Sequence, residues 1–421
     1  MHDGLTHPRL GLKAAITGLV FGASFYYSGL YDFGSTGSTR VVFERVLRSL
    51  PLAGVSLLVL FYFVPQLEFG RGIFLVTLAL TALVVPSWRY VYNRVTEASG
   101  FTRRTLILGN GELAQEIAAM TRDRPDLGLE LVGMLARDRH HVEASRGVIG
   151  VYKDLLSITE AADIDYVLVA YPDRRGTLPV EQLLEVKFRG VEVEEGVDFF
   201  ERETGKLFVR ELKPSQLIFA EGFTARQTTL RLKRLLDVVV ATTGLIIAGP
   251  IMVLTALLIK LDSKGPVLYK QVRAGQFGKL FTILKFRSMR IDAEKHGAQF
   301  AKENDDRVTR IGRIIRKTRI DELPQLWNVL KGEMSMVGPR PERPVFIEQL
   351  EQQVPYFKQR LYVKPGVTGH AQVRCRYGAS AEDMLEKLQY DLYYIKSQSV
   401  LFDLSILFDT VKVVLLRIGA R

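Results

Sequence analysis

Arg316-Lys-Thr-Arg-Ile-Asp321-Glu322-Leu-Pro324-Gln-Leu-Trp327-Asn-Val-Leu330 sets two adjacent carboxylates among fixed cations, and Gly338-Pro339-Arg340-Pro341 follows closely. Pro324 is excluded from a helix interior but suits a first turn, so the apolar series Leu323, Leu326, Trp327 and Leu330 predicts a helix starting near Asp321. A carboxylate at a helix N-terminus is favoured in its ionised form by roughly 0.3–1 kcal/mol. Asp321 is therefore expected to stay deprotonated and able to attack phosphorus. Ordinary helix capping is the competing reading of an Asp-Glu pair. The flanking cations, the proline-locked arginine and a nearby membrane signal weigh against it.

Upstream, Phe281-Thr-Ile-Leu-Lys285-Phe-Arg287-Ser-Met alternates with period two, which predicts a strand carrying Lys285 and Arg287 on one face. A solvated strand face would explain two such cations equally well, but a diphosphate needs charge-assisted donors of this kind. Arg316, placed in a preceding helix, can reach the space of the carboxylates, and Arg319 lies nearer still. Repulsion between Asp321 and a phosphate anion opposes attack, so cations and Mg²⁺ are required, with Glu322 the nearest candidate metal ligand. Pro339 and Pro341 limit where the Arg340 guanidinium can point, which suits a flat base or a phosphate, or simply a structural turn. The glycine-rich Lys364-Pro-Gly366-Val-Thr-Gly369-His370 leads to Arg374 and Arg376, expected to close the pocket over a diphosphate.

Before these motifs, an uncharged run over residues 238–259 is broken by Gly249-Pro250 and preceded by Lys233, Arg234 and Asp237. It is long enough to cross a bilayer. Crossing would leave Lys260, Lys264 and Lys270 on the wrong flank, so a re-entrant segment over 236–260, kinked at Pro250, is expected, with Lys233, Arg234, Asp237 and Pro250 at the membrane interface. A plain fourth transmembrane helix is the alternative. The tail over 388–416 mixes aromatics and aliphatics and reads as part core, part membrane-surface helix.

Three apolar stretches occupy 10–31, 50–65 and 73–92, the second short for a span. Arg40, Arg45 and Arg48 follow the first; Arg89, Arg94, Arg103 and Arg104 follow the third. Both groups mark the cytoplasmic side. The first stretch reads as an anchor and not a removable signal. From residue 105 strands and helices alternate, with a G-x-G-x-x-A turn at Gly109-Asn-Gly111 through Ala114, strands at 129–135 and 165–170 and a helix over 152–162. That unit is Rossmann-like, but no acid, base or nucleophile set accompanies its turn, so a regulatory or assembly role is favoured over a bound dinucleotide. The expected division is transmembrane helices over 1–98, an α/β domain over 101–220, and an α+β catalytic domain over 228–421.

The 421 residues carry a formal net charge of +11 and are 47% hydrophobic. Such charge suits an anionic membrane face or phosphorylated substrates, and no nucleic-acid module is present to support that further option. The single cysteine, Cys375, excludes an intrachain disulfide and a Cys-rich zinc site. His140-His141 has no metal-ligand spacing and reads as solvated loop.

Lys233-Arg234-x-x-Asp237, the proline-broken run, Lys285-Phe-Arg287-Ser-Met, Asp321-Glu322-Leu-Pro-Gln-Leu-Trp-Asn, Gly338-Pro-Arg-Pro and Lys364-Pro-Gly-Val-Thr-Gly together resemble the bacterial sugar transferases, the monotopic polyprenyl-phosphate hexose-1-phosphate transferases. The whole chain is similar to the large form, particularly to members that initiate exopolysaccharide synthesis. It departs in having three N-terminal helices where four are usual, and His370 where Trp is common. The resemblance implies transfer of a hexose-1-phosphate from a UDP-sugar to undecaprenyl phosphate with release of UMP, through a phosphosugar intermediate on Asp321. It further implies Mg²⁺ on Glu322, phosphate on Arg316, nucleotide on Pro339-Arg340-Pro341, membrane lipids as partners, and a bacterial inner membrane location with the catalytic domain facing the cytoplasm. A homodimer is left open. The competing functions are a membrane-bound nucleotide-dependent oxidoreductase or epimerase built on the Gly109 turn, and a non-catalytic polysaccharide assembly protein.

Overall fold

Apolar runs too long for a small core become helices here. The computed structural model describes residues 9–31, 39–68, 70–98, 102–138, 147–170, 178–212, 214–220, 222–293, 305–375 and 380–415. The first three helices are α1 (Arg9–Tyr27), α2 (Thr39–Phe63) and α3 (Arg71–Ala98). Among the described residues, four segments have the length and hydropathy to span a bilayer: Leu10–Tyr27, Arg40–Phe63, Arg71–Tyr92 and Gln227–Asp262. The second is longer than its apolar stretch suggested. Glu44 pairs with Arg40 at 3.4 Å and Arg48 at 3.9 Å, both one turn away, so the charged turns extend the helix instead of ending it. Phe21, Ala53 and Leu57 pack the three helices together with Phe74 and Leu78.

The α/β unit follows as β1 (Arg103–Leu108), α4 (Glu112–Asp123), β2 (Leu129–Ala136), β3 (Val148–Val151), α5 (Leu155–Ala161), β4 (Tyr166–Val169), α6 (Val180–Phe188) and β5 (Glu192–Glu195). All strand pairs are parallel and the order is β3-β2-β1-β4-β5, so β1 is central and the order reverses beside it, as in a doubly wound sheet. Leu106, Leu108, Leu135, Val167 and Val186 fill its core. β3 and β5 were not legible from the sequence, being four residues each and, in β5, mostly glutamate.

The chain divides into compact units at Gly196 and Val197, upstream of the boundary expected at 220. The reason is local: Leu207 and Val209 belong to the core of the second unit, and Leu207 N–H donates to Gln389 O at 3.0 Å. That unit comprises α7 (Gly196–Thr204), α8 (Pro214–Phe219), α9 (Gln227–Asp262), an antiparallel pair β6 (Leu268–Ala274) and β7 (Leu280–Phe286), α10 (Arg310–Lys317), α11 (Gln325–Lys331), β8 (Ser335–Val337), α12 (Pro344–Gln353), β9 (Gly366–Thr368), α13 (His370–Arg374), α14 (Ala381–Lys396) and α15 (Val400–Leu415). Its core gathers Ala241, Ile283, Leu326, Val329, Met334, Phe357, Leu388 and Tyr394. In the tail Leu388, Leu392 and Tyr394 are buried in the core, whereas Leu401, Leu404 and Val411 are exposed.

α9 is one helix of 36 residues with Pro250 inside it, so the kink expected at Pro250 does not break the helix of the 236–260 segment. Both of its ends nevertheless pack on the same unit. Near its start, Lys233 pairs with Asp403 of α15 at 2.7 Å, and Asp237 accepts from Ser335 Oγ and Met336 N of β8 at 2.9 and 2.8 Å. Near its end, Ile259 packs with Phe286 and Ile315, and Asp262 accepts from Ile311 N at 3.2 Å.

Candidate active site

Thr309 caps α10, its Oγ1 accepting from Gly312 N at 2.9 Å. The helix stops before Arg319, whose φ of 58° is left-handed, a cost of roughly 1–2 kcal/mol for a non-glycine residue. That reversal throws Ile320, Asp321 and Glu322 into a separate 3₁₀ turn, and α11 begins only at Gln325. The carboxylates thus sit before the helix and not on its first turn. Asn328 of α11 then ties the assembly to β7 by accepting from Leu284 N at 3.1 Å and donating to Thr282 O at 2.8 Å.

That tie brings Lys285 of β7 to Glu322, with Nζ 3.0 Å from Oε1. Arg340 Nη2 reaches the same oxygen at 3.1 Å and Arg319 Nη1 stands 4.0 Å away. Burial opposes ionisation of Glu322, but the Lys285, Arg340 and Arg319 charges overcome it and hold the carboxyl well below the usual range. Burial also lowers the Lys285 ammonium pKa, against the pull of Glu322. Asp321 is only 8% exposed. Burial, then the neighbouring Glu322 charge, raise its pKa from 3.8 to about 6, against attraction from Lys285, Arg319 and Arg316. The sequence expectation of a carboxylate kept acidic by a helix end is thereby corrected: desolvation and a like charge outweigh the weak dipole of a seven-residue helix.

The Pro339-Arg340-Pro341 loop leaves β8 at Gly338, whose N–H donates to Thr368 O at 2.9 Å. A Cβ at Gly338 would stand 2.4 Å from Lys364 O, so the parallel pairing of β8 with β9 needs glycine there. Arg316, on the last turn of α10, is half-buried and acts on Asp321 by charge, without a hydrogen bond to it among the described residues. Arg376 lies outside the described residues.

Four expected site residues do other work. β7 ends at Phe286, so the alternation does not continue to Arg287; buried and 5% exposed, it donates to Lys264 O at 2.7 Å and to Ser263 O and Oγ at 2.8 Å, closing the end of α9. Lys233, Arg234 and Asp237 face the protein and not lipid. Arg234 donates to Val329 O and Leu330 O at 2.7 and 2.8 Å, both in the last turn of α11. Lys233 and Asp237 make the α15 and β8 contacts of α9. The cause is the stagger of positions 233, 237 and 241, one per turn on the buried stripe. Pro250 lies on the exposed middle of the helix.

His370 occupies an aromatic niche, its ring centroid 5.0 Å from Phe402 and 5.1 Å from Tyr390. Burial lowers its pKa to about 4, so the ring is neutral at pH 7. Its Nε2 lies 3.1 Å from Gly205 O, which can only accept, placing the proton on Nε2. It therefore pins the 205 segment to the core. No local pattern marked Arg360 or Asp391, whose partners lie far along the chain.

At Gly109, φ is +136° and a Cβ would stand 2.1 Å from Ala170 O, so the glycine serves strand packing. Glu112 stands in the first turn of α4, where a negative charge complements the helix N-terminus.

Two family models match: the bacterial sugar transferase over residues 228–417 and the CoA-binding domain over 27–184. Undecaprenyl-phosphate galactose phosphotransferase of Salmonella typhimurium is 30% identical over 401 residues, 90% of this chain and 82% of that one. UDP-N-acetylgalactosamine-undecaprenyl-phosphate N-acetylgalactosaminephosphotransferase of Aeromonas hydrophila is 48% identical over 190 residues, 45% of each chain. UDP-glucose:undecaprenyl-phosphate glucose-1-phosphate transferase of Escherichia coli is 43% identical over 182 residues, 43% of this chain and 39% of that one. These last two matches thus span less than half of the relative's length. With its carboxylate pair, its clustered cations and a match running through nearly the whole Salmonella protein, this chain belongs to the bacterial sugar transferases.

Proposed function

We propose that this protein transfers a hexose-1-phosphate from a UDP-sugar to undecaprenyl phosphate as the initiating step of exopolysaccharide synthesis. The observation that carries the reading is the pairing of a buried Asp321, with its pKa raised to about 6, beside a Glu322 held ionised by three cations. A raised pKa makes Asp321 a better nucleophile than an ordinary carboxylate, while leaving it mostly ionised at pH 7. In the first step an Asp321 oxygen bonds to the β-phosphorus, the bond from that phosphorus to the bridging oxygen breaks, and UMP leaves with the oxygen. In the second, a phosphate oxygen of undecaprenyl phosphate bonds to the same phosphorus and the aspartyl–phosphorus bond breaks, returning the carboxylate. Arg316, Arg319, Lys285 and Arg340 supply positive charge against the phosphate oxygens, and Arg340 contacts the nucleotide.

The residues fit a Mg²⁺ that arrives with the diphosphate. Glu322 Oε1 is taken by Lys285 and Arg340, whereas Oε2 has no partner among the described residues, and no group of three or more His, Cys, Asp or Glu stands there to make a closed cage. One carboxylate completed by substrate phosphates and water is the usual arrangement for this ion. Bound there by Glu322, it would neutralise developing charge on the phosphates. Purified protein given a panel of UDP-sugars and Mg²⁺ is expected to release UMP from at least one; release from none refutes the proposal.

The acceptor's lipid calls for a site at the bilayer surface. A helix of 36 residues is about 54 Å long, and crossing would separate its ends by the full membrane. Because one unit grips both ends of α9, the reading that fits is a helix that enters and stays on the cytoplasmic face of the inner membrane, with exposed Ile246, Ile247, Leu254 and Leu261 in lipid and exposed Trp327 beside them. A Ser263→Cys variant tests this. The native Cys375 stays silent because burial pushes its thiol up to about 12. Intact cells should resist labelling at position 263 by an impermeant maleimide, and lysed cells should not; labelling of intact cells would show that α9 crosses.

A further inference from the structure

Residues 339–342 contain two prolines and so have few backbone donors, yet each of their four carbonyls accepts a hydrogen bond from elsewhere in the unit. Pro339 O takes Gly366 N at 2.9 Å, Arg340 O takes Arg360 Nη2 at 3.1 Å, Pro341 O takes Arg273 Nη1 at 3.0 Å, and Glu342 O takes Ala274 N at 3.0 Å. The ends of the loop are thus held by backbone and its centre by two arginine side chains. The same Arg360 Nη2 is 2.8 Å from Asp391 Oδ2, and the pair is buried, 6% and 2% exposed at the side chains. Phe357 lies under the guanidinium, 4.9 Å from ring centroid to Cζ. A buried ion pair of this kind is a weak source of stability, since well-packed apolar residues often do as well. Its use is better sought in what it holds.

We infer that Arg360, fixed by Asp391, is a positioning residue that clamps the peptide of Arg340 and so aims the Arg340 guanidinium at Glu322 and the donor diphosphate. This rests on the transfer reaction proposed above. With the Arg340 carbonyl tethered from behind, Nη2 of the same residue is delivered 3.1 Å from Glu322 Oε1 with little freedom to wander. Asp391 lies on α14, the fourth labelled element after the loop, and its action passes through one guanidinium.

The test is a double-mutant cycle in the full-length, membrane-embedded protein. The Arg360→Met/Asp391→Leu pair removes both charges together, which favours retention of the fold, and is expected to lower UMP release about ten-fold. In an Arg340→Ala background the same pair should cost less than about two-fold, because what it positions is gone. Arg360→Lys, which keeps a cation for Asp391 and a donor for the carbonyl, should recover activity to within about three-fold of wild type. A full ten-fold loss in the Arg340→Ala background, or no loss in either, overturns the clamp while leaving the transferase reading intact. A wild type that releases no UMP sinks that reading instead, and hydrogen exchange then decides the clamp: the Gly366 and Ala274 amides that hold the loop ends should exchange faster in the pair variant, and unchanged protection overturns it.

Discussion

Asp321→Asn is expected to reduce UMP release by about 10⁴-fold or more, with the protein folded and still in the membrane. The amide keeps the shape of the side chain but cannot bond to phosphorus, and among the described residues the other carboxylate beside it, Glu322, is occupied with Lys285 and Arg340. Loss of folding is the rival explanation for an inactive variant, and thermal melting separates the two. Asp321 ionises at about 6 in the folded state against an ordinary 3.8, because burial and Glu322 disfavour its charge. A carboxyl with a raised folded pKa favours the fold only while protonated; that contribution is complete below 3.8 and gone as pH rises through about 6. Above pH 7 the ionised carboxylate is therefore a net cost to stability. A neutral Asn removes it, so the inactive variant should melt at the same or a higher temperature than wild type at pH 8 without added metal. Incubation with donor labelled at the β-phosphorus should leave label on a peptide containing Asp321 in wild type and none in Asp321→Asn. Label on another residue, or near-normal turnover in the variant, would end the nucleophile assignment.

Periodicity and composition carried the coarse architecture of this chain because membrane length and the alternation of strand with helix are local properties. The three N-terminal helices, the parallel sheet and the long apolar α9 were all legible in that way. Lys285 and Arg340, each singled out from its own motif, stand together on Glu322 in the structure. What escaped was decided by tertiary contacts. Lys285 and Arg287 share a strand register on paper, but the strand ends between them and Arg287 finds the open carbonyls at the end of α9. Lys233 and Asp237 look like headgroup-facing charges beside an apolar run, yet each has a buried partner about a hundred residues or more away in sequence. No local pattern announces such a partner. The carboxylate pKa was misjudged for the same reason, since a helix dipole can be read from sequence and burial cannot.

The largest stability effect should come from one of those hidden partners. Lys233→Met is expected to destabilise the second unit by about 3–5 kcal/mol, the range for removing one member of a buried ion pair. Its Nζ donates to Asp403 Oδ2 at 2.7 Å, to Tyr394 Oη at 2.9 Å and to Val337 O at 2.9 Å, with side-chain exposures of 9% for Lys233 and 1% for Asp403. Methionine fills much the same volume but leaves the Asp403 carboxylate and the last carbonyl of β8 short of a donor. Burial already raises the Asp403 pKa against the attraction of Lys233. Without the lysine, the Asp403 pKa would rise further and protonation would relieve the buried charge, so the variant should lose less stability at pH 5 than at pH 8. The double variant Lys233→Met/Asp403→Leu removes both charges and should recover most of the loss. Thermal unfolding in detergent at the two pH values distinguishes this from a membrane-interface role: a lysine that merely faced headgroups would leave melting in detergent unchanged and gain nothing from the Asp403 substitution. Because Val337 directly precedes Gly338 and the Pro339-Arg340-Pro341 loop, the single variant should also lose activity before it loses its fold. The helix proposed to seat the enzyme at the lipid surface would then be the same element that keeps the Pro339-Arg340-Pro341 loop in register.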